Sequence, residues 1–296
     1  MLLIRLFAKL PLRVLYVIAD CFFVVGYYAV GYRRKMIRKN LANSFPGKSV
    51  EELAIIEKQF FRNLCDYAVE TIKLLSLSEV EIKNRMKFTN ASVLQEYASK
   101  NQSVILLSSH QFNWEWLLVS GTISLPMKID FVYQAVQNKF FDNVMLAIRS
   151  RFGAYPIERY QVAREIVKRK NIVRATAIVA DQYPGHNDKY FCTKFLNQET
   201  AFFFGLQQMA TLMQYPVFYA SVVKLKRGYY SVTLLPCGQP PYAKDDVSVL
   251  KAYVKGIESS ISQQPANWLW SHNRWKQRHL EKKHLEVLET NTNEQA

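Results

Sequence analysis

The chain nowhere brings two of its cysteines together. Cys21, Cys65, Cys192 and Cys237 are the only four in 296 residues, and they form no C-x-x-C pair. That spacing excludes a disulfide framework and a cysteine-based zinc site, and it is the pattern of isolated thiols in a reducing compartment. The catalytic part is therefore expected to be cytosolic. Acids are scarce as well: 24 Asp and Glu stand against 39 Lys and Arg, a net charge of +15. Repeats and low-complexity tracts are absent. The uncharged apolar run over residues 21–32 falls short of the roughly 20 residues that span a bilayer. Apolar residues are plentiful, at 49% hydrophobic and 14% aromatic, which excludes a disordered chain. The length suits one large domain or two modest ones.

The positive charge is uneven. The first 48 residues carry nine basic side chains, five of them in Arg33, Arg34, Lys35, Arg38 and Lys39, against the single acid Asp20. Such an end calls for an anionic partner, nucleic acid or membrane. The apolar residues beside it favour a membrane surface, and no nucleic-acid recognition motif occurs. Read as one helix, residues 2–32 place Arg5, Lys9, Arg13 and Asp20 on a single polar stripe. That helix either lies in the headgroup region, crosses the bilayer with its stripe against protein, or packs as an amphipathic helix of the core. A signal peptide fits poorly, because "YRRKMIRK" follows without a small-residue cleavage site. The basic cluster suits a cytoplasmic anionic leaflet. The organisation expected is a membrane-anchoring helix and basic hinge over residues 1–48, one domain over 49–280, and a frayed tail over 281–296.

From Ser49, apolar positions recur at helical spacing through Leu53, Ile56, Phe60, Leu64 and Tyr67, with Ser49 as N-cap and acids in the first turn. The pattern then changes. Short apolar runs at 103–107, 129–136, 175–180, 217–224 and 229–235 read as buried strands, the last two joined by a turn at "KRGYY". Helical segments at 114–120, 138–152, 161–168, 202–213 and 247–263 accompany them. This alternation predicts an α/β fold with a mixed, largely parallel sheet flanked by helices.

Chemistry concentrates in "SSHQFNWEW", residues 108–116, directly after the first of these strands. His110 and Glu115 stand five positions apart. For any histidine the chance of an acid at one fixed offset is about one in eight, so among five histidines an accidental pair is near even odds. His284 and Glu289 in the tail show the same spacing, and on a helix those two side chains point about 140° apart. Context distinguishes His110. It sits on a loop at the carboxyl end of a strand, where open α/β sheets bind ligands, with Asn113 as candidate N-cap of the next helix. Glu115 in the first turn would then fix the imidazole tautomer and leave the other nitrogen as a base. The alternative is a histidine at the edge of a core with a first-turn glutamate.

Other charged features admit two readings each. Arg149 and Arg151 in "IRSRFGA" are either C-terminal helix cations or contacts for a phosphate or oxyanion. Asp181 ends the strand in "IVADQYPG", as a turn former or a ligand-side carboxylate. "NWLWSHNRWK" groups Trp268, Trp270 and Trp275 with His272, Arg274 and Lys276, as an interfacial aromatic and cationic surface or as core packing.

Taken in order, these segments resemble the late acyltransferases of lipid A biosynthesis, within the lysophospholipid acyltransferase-like superfamily. The resemblance rests on "IRKNLANSFPGKSVEE", "FFRNLCDYAVETIKL", "LLSSHQFNWEW" as an H-x-x-x-x-[DE] motif, "RSRFGAYPI", "IVADQYPG", "KFLNQETAFFFGLQQMA" and "PANWLWSHNRWK". It departs at "KFLNQETA", where Leu-Asn replaces a usual Phe-Gly turn, and at "RKNIVRATAIVADQ", which lacks a glycine expected before the strand. The resemblance implies a glycerolipid acyltransferase-like fold and a membrane-associated O-acyltransferase, with His110 as general base and Glu115 as its orienting carboxylate. Arg149 or Arg151 would meet the substrate phosphate or the transition state, and Asp181 would support them. It further implies an acyl thioester co-substrate, acyl carrier protein as donor partner, and an anionic lipid A precursor or related glycolipid as acceptor. No metal, other cofactor or nucleic acid is implied, and the location would be the cytoplasmic face of a bacterial inner membrane. An aminolipid or glycosylated phosphatidylinositol is the alternative acceptor, and a non-catalytic basic membrane-surface protein the alternative class.

Overall fold

A computed structural model describes residues 2–185 and 188–276. The tail pair His284 and Glu289, and the frayed tail expected over 281–296, lie outside the described residues. Three helices open the chain: α1 (Leu2–Lys9), α2 (Leu12–Val24), which continues as a wider turn over Val25–Val30, and α3 (Arg34–Ser44). The long α4 (Val50–Lys73) follows, then α5 (Glu79–Arg85), β1 (Met86–Phe88), α6 (Val93–Ser99), β2 (Val104–Ser108) and α7 (Trp114–Ser124). Next come β3 (Lys128–Tyr133), α8 (Lys139–Arg149), β4 (Tyr155–Glu158), α9 (Val162–Lys168) and β5 (Arg174–Val179). A hairpin of β6 (Tyr190–Phe195) and β7 (Gln198–Phe203) leads to α10 (Gly205–Met213), β8 (Val217–Lys226), β9 (Tyr229–Gly238) and α11 (Ser248–Gln263).

Seven strands form one sheet in the order β1-β9-β8-β2-β5-β3-β4, parallel at every pair except the β8–β9 hairpin. The expected mixed, largely parallel sheet is present. Its middle strand β2 is buried at all five positions, Val104 to Ser108, which explains its unbroken apolar reading. Two apolar clusters cover the faces. One includes Trp116, Ile129 and Val222, and the other includes Phe60, Ile178 and Tyr253.

The amino-terminal segment differs from a single striped helix. Pro11 lacks a backbone N–H and cannot continue α1, so the chain breaks there and α2 restarts with Pro11 at its N-cap. Ala8, Leu12, Leu15, Ala19, Phe23 and Tyr27 are buried against the rest of the protein, while Leu3 is 80% exposed and Val17 and Phe22 also face outward. Leu12–Val30 is long and apolar enough to cross a membrane. Polar anchors hold it: Lys73 donates to the carbonyls of Ala8 and Leu10, and the Tyr16 hydroxyl donates to Glu70 at 2.9 Å. Arg227, on the β8–β9 turn, bridges Asp20 at 2.8 Å and Asp66 at 2.6 Å. The next residue, Gly228, has φ +72°, and a Cβ there would fall 2.1 Å from the Tyr16 hydroxyl, so only glycine lets this tip touch α2. Part of the basic hinge is likewise structural. Arg34 and Arg38 share the buried Glu57 carboxylate at 2.7 and 2.8 Å, whereas Lys35 and Lys39 stay exposed.

Local signals in the sequence act as expected. Ser49 accepts from the Glu52 backbone while the Glu52 side chain reaches back to Ser49, a complete capping box. The Leu196–Asn197 pair that stands at the departure noted above forms the tight β6–β7 turn with both residues at positive φ, 48° and 62°. Residues 202–203, read above as the start of a helix, instead close β7.

Candidate active site

The register of the parallel pair β2–β5 builds the site. Ser108 lies opposite Val179, so the positions two residues beyond, His110 and Asp181, emerge side by side at the carboxyl edge of the sheet. The His110 Nδ1 lies 2.6 Å from Asp181 Oδ1, and the His110 backbone N–H donates to Oδ2 at 2.9 Å. The indole Nε1 of Trp268 donates to the same Oδ2 at 2.6 Å. Asp181 is 1% exposed and accepts all these bonds as a carboxylate. Burial pushes its carboxyl up, but the electrostatic attraction of His110 and the hydrogen bonds from His110 and Trp268 outweigh this and hold it below its usual value.

A carboxylate at Nδ1 fixes the tautomer with hydrogen on that nitrogen, leaving the Nε2 lone pair free to accept. The Gln182 side-chain amide lies 3.1 Å from Nε2 as its donor. The ring is steadied on its side by Trp114, edge-on at 5.0 Å, which in turn packs at 4.1 Å on Tyr67. The carboxy-terminal segment holds the loop by its backbone: Phe112 N–H donates to Asn267, Leu269 N–H donates to His110, and Gln111 bridges to Trp268. Asn113 caps α7 by accepting from Trp116 N–H at 3.1 Å. Its amide N–H meanwhile donates to Glu70, which also accepts from Tyr230. Burial drives the Glu70 carboxyl above its usual value.

Glu115 is not the partner of His110. It enters from the first turn of α7, facing α8, and its carboxylate is clasped by Arg149 through Nε at 2.8 Å and Nη2 at 2.6 Å, with Trp114 Nε1 donating at 3.0 Å. The correction has a simple cause: five positions along this loop and helix turn Glu115 toward α8, while the sheet register delivers Asp181. Burial works against the Arg149 charge, yet Glu115 prevails and lifts the guanidinium above its usual value. Arg149, Glu115 and His110 all line one cavity. Arg151 does not line it. Its guanidinium donates to the Leu74 and Leu77 carbonyls, the latter at 2.6 Å, and so caps the end of α4. That is the structural role, in place of a substrate contact.

The cavity measures about 1050 Å³, at the upper limit of the roughly 300–1,000 Å³ common for small-molecule sites. His110, Glu115, Arg149 and Gln182 cluster on its wall, and beyond them it is lined by apolar side chains such as Leu117, Leu125, Ile129 and Phe131. A polar reaction end opening onto an apolar sleeve is suited to a substrate with one polar and one long aliphatic part.

A family model described as bacterial lipid A biosynthesis acyltransferase matches residues 1–277, nearly the whole chain. The chain belongs to that family. No curated protein sequence matches it. Membership of the family implies acyltransferase activity in lipid A biosynthesis, and among the described residues one apolar helix of spanning length accords with a membrane setting.

Two residues of this acyltransferase's site escaped the sequence reading. Gln182 adjoins Asp181 and was available as the second half of the Asp-Gln strand end. Trp268 stood in the carboxy-terminal tryptophan group, whose purpose depended on a contact across 87 positions. Both Trp268 and Trp270 are buried, so the group is largely packing, with one indole serving the site.

His272, two residues beyond Trp270, has its Nδ1 buried without a partner among the described residues. Burial foremost, with the nearby cations, depresses its pKa from 6.5 to about 4. Below pH 6.5 the unfolded chain takes up a proton that the folded one refuses, so stability falls as pH drops from 6.5 to about 4 and then levels. The loss is expected to reach up to about 3 kcal/mol. Urea unfolding from pH 7 to 4 should show this slope, and the His272→Gln variant should lack it. An equal slope in both would dismiss the effect.

Proposed function

We propose that this acyltransferase moves a fatty acyl chain from acyl carrier protein to a hydroxyl of a lipid A precursor or closely related glycolipid, at the cytoplasmic face of a bacterial inner membrane. The observation that carries the reading is the His110 imidazole, held by Asp181 at Nδ1, with Nε2 at the polar end of an apolar cavity of about 1050 Å³.

In the reaction, the acceptor hydroxyl takes the place of the Gln182 amide on Nε2. His110 removes its proton as the oxygen attacks the thioester carbonyl. Asp181 stabilises the imidazolium that forms, as a buried carboxylate at the far nitrogen does. The tetrahedral intermediate then expels the thiolate, which recovers the proton from His110, leaving an ester and a free thiol. Gln182, released from Nε2, is placed to donate to the developing oxyanion, and the Arg149–Glu115 pair shapes the polar end of the cavity. The acyl chain occupies the sleeve lined by Leu117, Leu125 and Phe131. No step requires a metal or another cofactor. Exposed Lys35 and Lys39, on the helix that follows the apolar α2 in sequence, hold the site at an anionic leaflet.

Purified protein should be given acylated carrier protein with a lipid A precursor, an aminolipid or a glycosylated phosphatidylinositol, and the products weighed by mass spectrometry. The expected product is the glycolipid heavier by one acyl group. Transfer confined to either of the other lipids would overturn the proposed acceptor, and transfer from acyl-coenzyme A alone would overturn the proposed donor.

A further inference from the structure

Two loops at the carboxyl edge of the sheet carry apolar side chains that the fold leaves uncovered. Residues 134–141, "QAVQNKFF", follow β3 and are exposed at every position. Val136 is 52% exposed, Phe140 45% and Phe141 57%, and Tyr160, on the turn after β4, is 75% exposed. Single apolar residues on a surface are ordinary, but these four gather. Arg159 Nη1 donates to Gln134 Oε1 at 3.0 Å and ties the two loops together, and Val136 and Tyr160 both line the large cavity. The loops thus form part of its rim.

Local structure holds the rings outward. Asn138 caps α8, accepting from Phe140 and Phe141 N–H at 3.0 and 3.3 Å, and Asp142 folds back to accept from Val136 N–H at 3.0 Å. Val144 and Ile148 are the buried face of α8, and Phe140 continues their four-residue spacing. The apolar stripe of the helix therefore runs past the end of the core. Lys139 is the one charged residue of the stretch, and it is exposed. Arg159 is already paired with Asp188 at 2.6 Å.

The sheet indicates what faces this rim. Strands β2, β3, β4, β5 and β8 run parallel, so the loops that follow them share one edge. In the order β8-β2-β5-β3-β4, His110 follows β2, between the two ends. At the β8 end, Arg227 holds α2 through the Tyr16 carbonyl and Asp20. The rim lies on the other side of His110, about 15 Å away at the spacing of three strands. The helix of spanning length and the uncovered rim therefore flank the site at one edge.

We infer that this rim docks on a phospholipid leaflet, with Val136, Phe140, Phe141 and Tyr160 among the acyl chains and Lys139 at anionic headgroups. Aromatic and apolar groups around one flexible cation, with no acid in the stretch, suit a bilayer interface. An acidic protein partner would call for several cations. Docked in this way, the cavity opens into the leaflet, and a lipid enters it without crossing water. The inference goes beyond the acyl-transfer reading and does not depend on it.

The test uses the full chain reconstituted in vesicles of phosphatidylcholine and phosphatidylglycerol with brominated acyl chains, which quench indole fluorescence on contact. Phe141→Trp, Tyr160→Trp and Lys170→Trp each add one indole at an exposed position, the last on the loop entering β5 at the opposite edge. The indoles added at 141 and 160 should lose their fluorescence, and the one at 170 should keep it. Phe140→Asp, combined with Tyr160→Trp, should abolish the loss at 160, because a carboxylate resists entry into the acyl region. Lys139→Glu, combined with Phe141→Trp, should reduce the loss at 141. Unquenched rim indoles, equal quenching at 170, or quenching indifferent to both charge changes overturns the inference. So does an emission shift of the 141 indole in detergent that grows with protein concentration, which assigns the rim to a second copy, or one that appears only on adding an acidic carrier protein.

Discussion

Asp181→Asn is expected to lower turnover by about 10³–10⁴-fold while leaving the protein folded. The asparagine oxygen can still accept from Trp268 and the His110 backbone, which preserves the loop. Its amide, however, donates toward His110 Nδ1, where the carboxylate accepted. The imidazole must then carry its hydrogen on Nε2, and the nitrogen facing the cavity becomes a donor with no lone pair for the acceptor hydroxyl. The charge that would stabilise the imidazolium is lost in the same change. Single-turnover kinetics beside a melting curve check this. A variant that melts as the wild type does and keeps more than a tenth of its rate would show that Asp181 does not control the tautomer.

Arg149→Ala is expected to cost about 3–5 kcal/mol of stability, because it strands a buried charge. Glu115 is 1% exposed, and without Arg149 it keeps only neutral donors, the Trp114 indole and the Tyr67 hydroxyl, among the described residues. The double variant Glu115→Gln/Arg149→Met removes both charges and should recover most of the loss. Chemical denaturation of the three proteins measures it. Equal stability of Arg149→Ala and wild type would mean that water reaches Glu115 and the pair is not sealed. The same geometry bears on substrate binding: a guanidinium already clasped by two hydrogen bonds has little charge left for a phosphate.

How much of this site could be read beforehand depends on the distance over which each contact forms. His110 was legible because strand, loop and helix signals converge within ten residues around it, and Asn113 was legible as a cap for the same reason. Asp181 was visible as a strand end, but its meeting with His110 needs β5 beside β2 in one register, and strand order is not written in local periodicity. In the absence of that order, the nearest acid in sequence, Glu115, took its place. Arg149 and Arg151 are two positions apart and looked equivalent, yet the end of α8 sends one into the cavity and the other to the carbonyls of Leu74 and Leu77. Of the strands that went unread, β1 and β4 are short and lie at the edges of the sheet, and β6 and β7 form a separate two-stranded ribbon whose polar residues interrupt any apolar run. The family resemblance held across these gaps because it rests on ordered motifs along nearly the whole chain, whereas the carboxylate partner that it implied for His110 did not.

The central claim is that His110 and Asp181 act as one unit, and a double-mutant cycle on kcat/KM tests it most directly. His110→Ala, Asp181→Asn, Glu115→Gln and the two double variants containing His110→Ala would be assayed for acyl transfer. Groups that act together are strongly non-additive. His110→Ala/Asp181→Asn should therefore be no slower than His110→Ala alone, whereas Glu115→Gln should add its own separate loss. Multiplying effects for His110 with Asp181, together with non-additivity for His110 with Glu115, would contradict the pairing and return the orienting role to Glu115.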